Sequence, residues 1–167
     1  MTTKKVCVIL APGAEEMETV ISVDVLRRGG LEVVLAGQTG EEPVLCSRNV
    51  RICPDTSLAE ARGRGPYDCI LLPGGGQGAE ALGASKEVGE MLGEQDREGR
   101  MVAAVCAAPT ALASHKIGVG KRVTSFPAPA FREKLESAGY QYEDSMSVVM
   151  DDNIVTSREL SKAMLVA

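Results

Sequence analysis

The sequence predicts an α/β sandwich in which a mainly parallel sheet is covered by helices on both sides. Two observations carry this reading. Short runs that are apolar throughout recur along the chain, as in Val6-Cys7-Val8-Ile9-Leu10 and Cys69-Ile70-Leu71-Leu72, and strands apolar on both faces belong to parallel sheets buried on both sides. Longer segments with helical spacing separate these runs.

The elements follow in order. Residues 6–10 form a buried strand that Ala11-Pro12-Gly13 stops, and 16–28 form a helix with Met17, Val20, Ile21 and Val25 on one face, ended by Gly29-Gly30. Residues 31–36 are a second strand. A turn through Pro43 leads to a short hairpin over 44–48 and 50–53. Thr56 or Ser57 caps a short helix over 58–62. The strand 68–72 is broken by Pro73-Gly74-Gly75-Gly76, and a helix over 86–97 leads to the strand 101–105. Beyond it come a short strand over 121–125, a helix over 129–137, and a hairpin over 148–156 turning at Asp151-Asp152-Asn153. No linker or repeat divides the 167 residues, so a single domain over 1–167 is expected.

Composition narrows the function classes. Hydrophobic residues at 44% and charged residues at 25% fit a globular domain, and a net charge of −5 gives no electrostatic case for nucleic acid or an anionic membrane as a main partner. The opening residues lead into only a short apolar run, so neither a signal peptide nor a membrane span is expected. Five cysteines form an odd set that points to free thiols in a reducing compartment, with the cytoplasm as default. With no C-x-x-C pair and one histidine, no metal is expected.

Cys106 stands where Met101-Val102-Ala103-Ala104-Val105 gives way to Ala107, Ala108, Pro109 and Thr110, ahead of the helix-like run Ala111-Leu112-Ala113. A thiol at such a corner points toward a helix N-terminus, whose free N–H groups favour a thiolate. Ala104 and Ala108 leave room for the turn, as glycines do in the G-x-S-x-G elbow. The competing reading is a buried structural cysteine. In a parallel sheet ligands bind beyond the carboxyl ends of the strands. Residues 11–14, 73–76 and Cys106 therefore converge on one crevice.

Gly74-Gly75-Gly76 lacks the Walker lysine and the dinucleotide spacing. Backbone N–H donation to an oxyanion suits it better, with the Ala107 amide as second donor, and a plain turn is the alternative. Glu15, Glu16 and Glu18 fall at the start of a helix, where acidic residues favour the dipole. One of them could instead point into the crevice beside the thiolate and, when protonated, donate a hydrogen bond to the sulfur. His115 lies too far along the following helix to serve as base and reads as a surface residue.

Taken together, Ala11-Pro12-Gly13-Ala14-Glu15-Glu16-Met17-Glu18, Cys46-Ser47-Arg48, Leu71-Leu72-Pro73-Gly74-Gly75 and Ala103-Ala104-Val105-Cys106-Ala107-Ala108-Pro109-Thr110 resemble the parkinsonism-associated deglycase family, the DJ-one branch of the PfpI-like superfamily. The resemblance implies a flavodoxin-like three-layer sandwich, a homodimer, and an oxidation-sensitive nucleophile at Cys106. It matches Glu18 to the family's protonated glutamate and Gly75 with Ala107 to its backbone donors, with Gly74 beside them. It places Arg28 and Arg48 near the pocket at the dimer interface, Phe126 at the pocket, and Cys46 and Cys53 as modifiable thiols near that interface.

The activity so implied is a cofactor-free glyoxalase or deglycase acting on a small aldehyde such as methylglyoxal or on early glycation adducts of proteins. The alternative is a redox-sensing, chaperone-like binding protein acting in oxidative stress. Nucleus and mitochondrion join the cytoplasm as expected compartments. The chain departs from the family's pattern twice. Phe126 stands where members often carry histidine, and Thr156-Ser157-Arg158 runs straight into Glu159-Leu160, where members continue with a Gly-Pro-Gly turn and a long helix. A helix is therefore expected to be missing between Arg158 and Glu159, leaving part of one sheet face without cover.

Overall fold

The computed structural model describes residues 3–159. Its elements are β1 (Lys5–Leu10), α1 (Glu16–Arg28), β2 (Glu32–Gly37), β3 (Val44–Leu45), β4 (Arg51–Ile52), β5 (Thr56–Ser57), α2 (Leu58–Gly63), β6 (Cys69–Leu72), α3 (Gly76–Ala84), α4 (Lys86–Arg97), β7 (Met101–Val105), α5 (Pro109–His115), β8 (Arg122–Val123), α6 (Pro129–Ser137), β9 (Gln141–Tyr142), β10 (Val148–Asp151) and β11 (Ile154–Ser157). Seven strands form one sheet in the order β10-β11-β7-β6-β1-β2-β5. All its neighbouring pairs are parallel except the terminal hairpin β10–β11.

Alternation along the strands divides the core. Cys7, Ile9, Ile70, Leu72, Val102, Ala104 and Ile154 meet Leu58 of α2, Leu82 of α3, Leu92 of α4, Leu112 of α5 and Leu135 of α6. Val6, Val8, Leu10, Leu71, Ala103 and Val155 face the other way and meet Val23 and Leu26 of α1. The expected three-layer α/β sandwich is observed. Among the described residues α1 is the one helix on its side, and beside it lies a cleft of about 640 Å³ that includes Val6, Leu71 and Ala103. The expected gap in the chain after Arg158, and the segment that follows it, lie largely outside the described residues. No helix among the described residues is long and apolar enough to cross a membrane.

Three local expectations are corrected. The face of α1 turned inward carries Glu16, Glu18, Thr19, Ser22, Val23 and Leu26, whereas Met17 and Val20 are each 53% exposed. Apolar spacing misled because the buried polar groups are paired: Glu16 with Ser47 and Arg48, Glu18 with Gly74, and Thr19 with the Glu15 carbonyl. The glycine run does not remain a loop, since α3 begins at Gly76. Its Gly78 serves close packing rather than helix breaking, for a Cβ there would lie 2.7 Å from Ala14 Cα. His115 is half-buried, with Nε2 2.9 Å from the Leu82 carbonyl oxygen.

Candidate active site

Three chain segments meet beyond the carboxyl ends of β1, β6 and β7. The first begins with the turn after β1, where Glu15 caps α1 by accepting the Glu18 N–H at 2.8 Å. This cap starts the helix so that Glu18, three residues on, is turned into the protein and left only 3% exposed. The second is the loop after β6. Its Gly74 N–H donates to Glu18 Oε2 at 2.7 Å, and Gly75 takes a φ of +88°, a conformation that favours glycine.

The third segment is the corner after β7. Cys106 has a φ of +58°, in the left-handed region that costs a non-glycine residue roughly 1–2 kcal/mol. The surroundings enforce it. The Cys106 N–H donates to the Ser157 carbonyl at 2.8 Å, its carbonyl accepts the Phe126 N–H at 2.8 Å, and Ala108 N–H closes the turn onto the Val105 carbonyl at 2.9 Å. Thr110 Oγ1 donates to the Ala107 carbonyl at 2.8 Å, fixing the peptide that precedes α5. The bonds by which Ser157 and Thr110 hold the corner were not legible in the sequence, because a carbonyl acceptor and a turn-forming hydroxyl leave no mark in residue type or spacing.

The thiol of Cys106 and the carboxyl of Glu18 share a hydrogen bond, while the N–H groups of Gly75 and Ala107 face the sulfur. Burial holds Glu18 above the usual carboxylate range, with Glu15 adding to the rise and the bonds from Gly74 and Cys106 only partly opposing it. Burial, and then the charge of Glu18, push the Cys106 thiol up to about 12 against the two backbone donors. The charge of an ionised Glu18 thus opposes a thiolate at Cys106, and the two groups titrate as a coupled pair.

The structure therefore brings together Cys106, Glu18, Gly74, Gly75 and Ala107, and it joins Phe126 to the corner through the backbone. Phe126 is 43% exposed. Arg48 lies on the β3–β4 turn, its N–H donating to Glu16 Oε1 at 2.9 Å. Arg28 is not brought to Cys106. It ends α1, ten residues and about 15 Å along the axis from Glu18, and pairs with Asp24 at 2.8 Å. Cys46 is buried, its thiol pushed up to about 11 by burial and by Glu16 and Glu15, whereas Cys53 is exposed.

A model of the DJ-1/PfpI family matches residues 4–167. "Protein DJ-1alpha" of Drosophila melanogaster is 54% identical over 157 residues, which cover 93% of this chain and 70% of the fly protein. A Caenorhabditis elegans protein named "Glutathione-independent glyoxalase DJR-1.2" is 39% identical over 95% of this chain and 82% of its own. The crystal structure of Drosophila melanogaster DJ-1beta superposes with a TM-score of 0.93 at 47% identity, covering 98% of this chain and 86% of that one.

Proposed function

The chain belongs to the DJ-1/PfpI family, and we propose that within it this protein is a cofactor-free glyoxalase that converts methylglyoxal and related 2-oxoaldehydes to hydroxy acids through Cys106. A relative named as a glutathione-independent glyoxalase supports activity of this class. The observation that carries the reading is the Cys106–Glu18 pair, a half-buried thiol beside a buried carboxyl and two N–H donors.

When the proton rests on Glu18, its negative charge leaves the carboxyl and the sulfur becomes a thiolate that accepts hydrogen bonds from Glu18, Gly75 and Ala107. The thiolate attacks the aldehyde carbon. A carbon–sulfur bond forms, the carbonyl π electrons move to oxygen, and the Gly75 and Ala107 N–H groups meet that oxyanion before Glu18 gives it a proton. The Glu18 carboxylate then takes the proton from the former aldehyde carbon and passes it to the ketone oxygen, giving an enediol; a proton next moves from the first hydroxyl to the neighbouring carbon by way of Glu18, leaving a lactoyl thioester on Cys106. Water cleaves the thioester and releases lactate and the thiol. The net reaction is methylglyoxal plus water to lactate.

Lactate formation without glutathione tests this reading. Cys106→Ser and Glu18→Gln should each lower kcat at least a hundredfold, and turnover surviving in Cys106→Ser would remove the assignment. Early glycation adducts of proteins are a second substrate class for the same thiolate. A redox-sensing role is favoured by one observation: Cys106 is only half-buried, so peroxide can reach it, and a sulfinate formed there would keep the Gly75 and Ala107 donors. Single-turnover modification by aldehyde, with no steady state, would support that role over the enzyme.

We also infer a homodimer. Met17 and Val20 on α1 and Leu45 and Val50 around the β3–β4 hairpin are exposed large apolar side chains. They are neighbours because Ser47 N–H donates to the Ala14 carbonyl at 2.9 Å and Gly13 N–H to the Leu45 carbonyl at 2.9 Å. A second copy on this face would cover them and bring further side chains toward the crevice. Sedimentation equilibrium should give a dimer that Val20→Lys dissociates.

A further inference from the structure

Three hydrogen bonds close a ring through Glu15, Gly74 and Glu18. The Glu15 N–H donates to the Gly74 carbonyl at 2.9 Å, the Gly74 N–H donates to Glu18 Oε2 at 2.7 Å, and the Glu18 N–H donates to Glu15 Oε2 at 2.8 Å. Glu15 is itself held, because its carbonyl accepts both the hydroxyl and the N–H of Thr19, at 2.9 and 3.1 Å. Contact with the glycine loop is so close that a Cβ on Gly75 would lie 2.7 Å from Glu15 N. The residue that starts α1 thus also sets the height of the loop that holds the Glu18 carboxyl.

The charges around Glu18 can be named element by element. From the start of α1 comes Glu15, from the β6–α3 loop come the uncharged Gly74 and Gly75, and from the corner comes Cys106. On the β3–β4 turn, the N–H of Arg48 is engaged on Glu16 and its guanidinium on the Ser47 carbonyl at 3.3 Å. Glu15 is therefore the acidic side chain that the ring fixes against Glu18, through the Glu18 N–H, while Cys106 lies outside the ring.

Resting on the reading of Cys106 and Glu18 as a proton-sharing pair, we propose that Glu15 is a positioning residue for it, whose charge favours the proton on Glu18 and the negative charge on sulfur. With the proton on sulfur, two residues joined in the ring both carry a carboxylate. Moving it to Glu18 carries the negative charge one group further from Glu15, which lowers their repulsion. Glu15 is half-buried, so the effect belongs to the range of partly screened charge pairs.

The test uses the full chain and iodoacetamide as a neutral probe of Cys106, with peptide mass mapping to separate it from the exposed Cys53. Glu15→Gln keeps an acceptor oxygen for the Glu18 N–H and removes the charge. At pH 7 it should slow Cys106 alkylation roughly two- to fivefold and lower the ultraviolet absorbance of the thiolate, with the thermal midpoint unchanged. Added salt should slow the parent toward the variant and leave the variant where it is. A folded Glu15→Gln protein with parental alkylation and absorbance overturns the proposal. If that variant does not fold, a parental rate insensitive to salt overturns it instead. Glu18→Gln separates the two readings: if it shifts the thiolate absorbance and Glu15→Gln does not, only the role of Glu15 fails, whereas if Glu18→Gln also leaves the absorbance unmoved, the pair itself fails.

Discussion

No side chain fits between Gly74 and Cys106: a Cβ on Gly74 would lie 2.8 Å from Cys106 Cβ and 2.6 Å from Glu18 Oε2. Both neighbours are fixed, one by the strained corner and the other by the Gly74 N–H itself. Gly74→Ala should therefore push the carboxyl off its donor and away from the sulfur. We expect Cys106 alkylation at pH 7 to fall at least tenfold and the protein to lose roughly 1–3 kcal/mol from overpacking. Denaturant unfolding combined with mass mapping of the alkylated thiol checks both, and a variant with parental reactivity would show that the glycine is not needed for the pair.

Phe126 offers the opposite experiment, a gain. Its N–H donates to the Cys106 carbonyl, and its own carbonyl accepts the Ser125 hydroxyl at 3.1 Å and the Ala128 N–H at 2.7 Å. The backbone is thus set without help from the ring, and the exposed ring can be exchanged within about 0.5 kcal/mol. Phe126→His adds a group that exchanges protons near neutral pH. Methylglyoxal kcat should rise by roughly tenfold or more, and an unchanged or lower kcat would show that Glu18 alone sets the proton traffic.

The sheet and the elbow were legible because each rests on a local rule. Apolar runs must be buried, and a sharp corner between a strand and Pro109-Thr110 needs small neighbours such as Ala104 and Ala108. Helix α1 kept its limits but not its face. Periodicity assigns apolar residues inward, whereas here Glu16 and Glu18 are buried and Met17 and Val20 exposed. That inversion depends on partners distant in sequence, Ser47 and Gly74, which no spacing within the helix reports. The motif singled out Glu18, yet nothing in residue type marked Glu15 as the third corner of the ring. Helix α3 was hidden by its glycines, whose low helix propensity is overridden by close approach to Ala14.

Glu16 makes an acid-sensitive anchor. It is 7% exposed and accepts the Ser47 hydroxyl at 2.8 Å and the Arg48 N–H at 2.9 Å. Burial alone would raise its carboxyl, but its own backbone N–H, Ser47 and Arg48 together hold it below the usual range. A folded-state value below the unfolded one stabilises the fold at neutral pH, and the gain is lost as pH falls from about 4.5 through the folded value. Glu16→Ala should cost about 2–3 kcal/mol at pH 7 by leaving both donors unpaired. The difference between parent and Glu16→Gln should shrink steadily below pH 4.5. Urea unfolding at several pH values reads both, and a difference independent of pH would show that the charge contributes nothing.

At the other end of the pH scale the buried thiols control stability. Cys7 on β1 is fully buried, and burial pushes its thiol from 9.0 up to about 12, with Cys69 on the neighbouring strand β6 adding to the rise. Cys69 is itself pushed up to about 12, again chiefly by burial. A thiol whose folded value lies above its unfolded value contributes stability that is present below pH 9 and lost between pH 9 and 12, as the unfolded chain ionises and the folded one does not. Each such thiol removes about 1.4 kcal/mol per pH unit in that window. Cys7→Val preserves apolar volume on a buried strand and should flatten the fall of unfolding free energy above pH 9 by about one proton equivalent. The parent and Cys7→Val should agree in slope at pH 7–8 and diverge above 9. Parallel curves through pH 10.5 would mean that Cys7 ionises as readily in the sheet as in the unfolded chain.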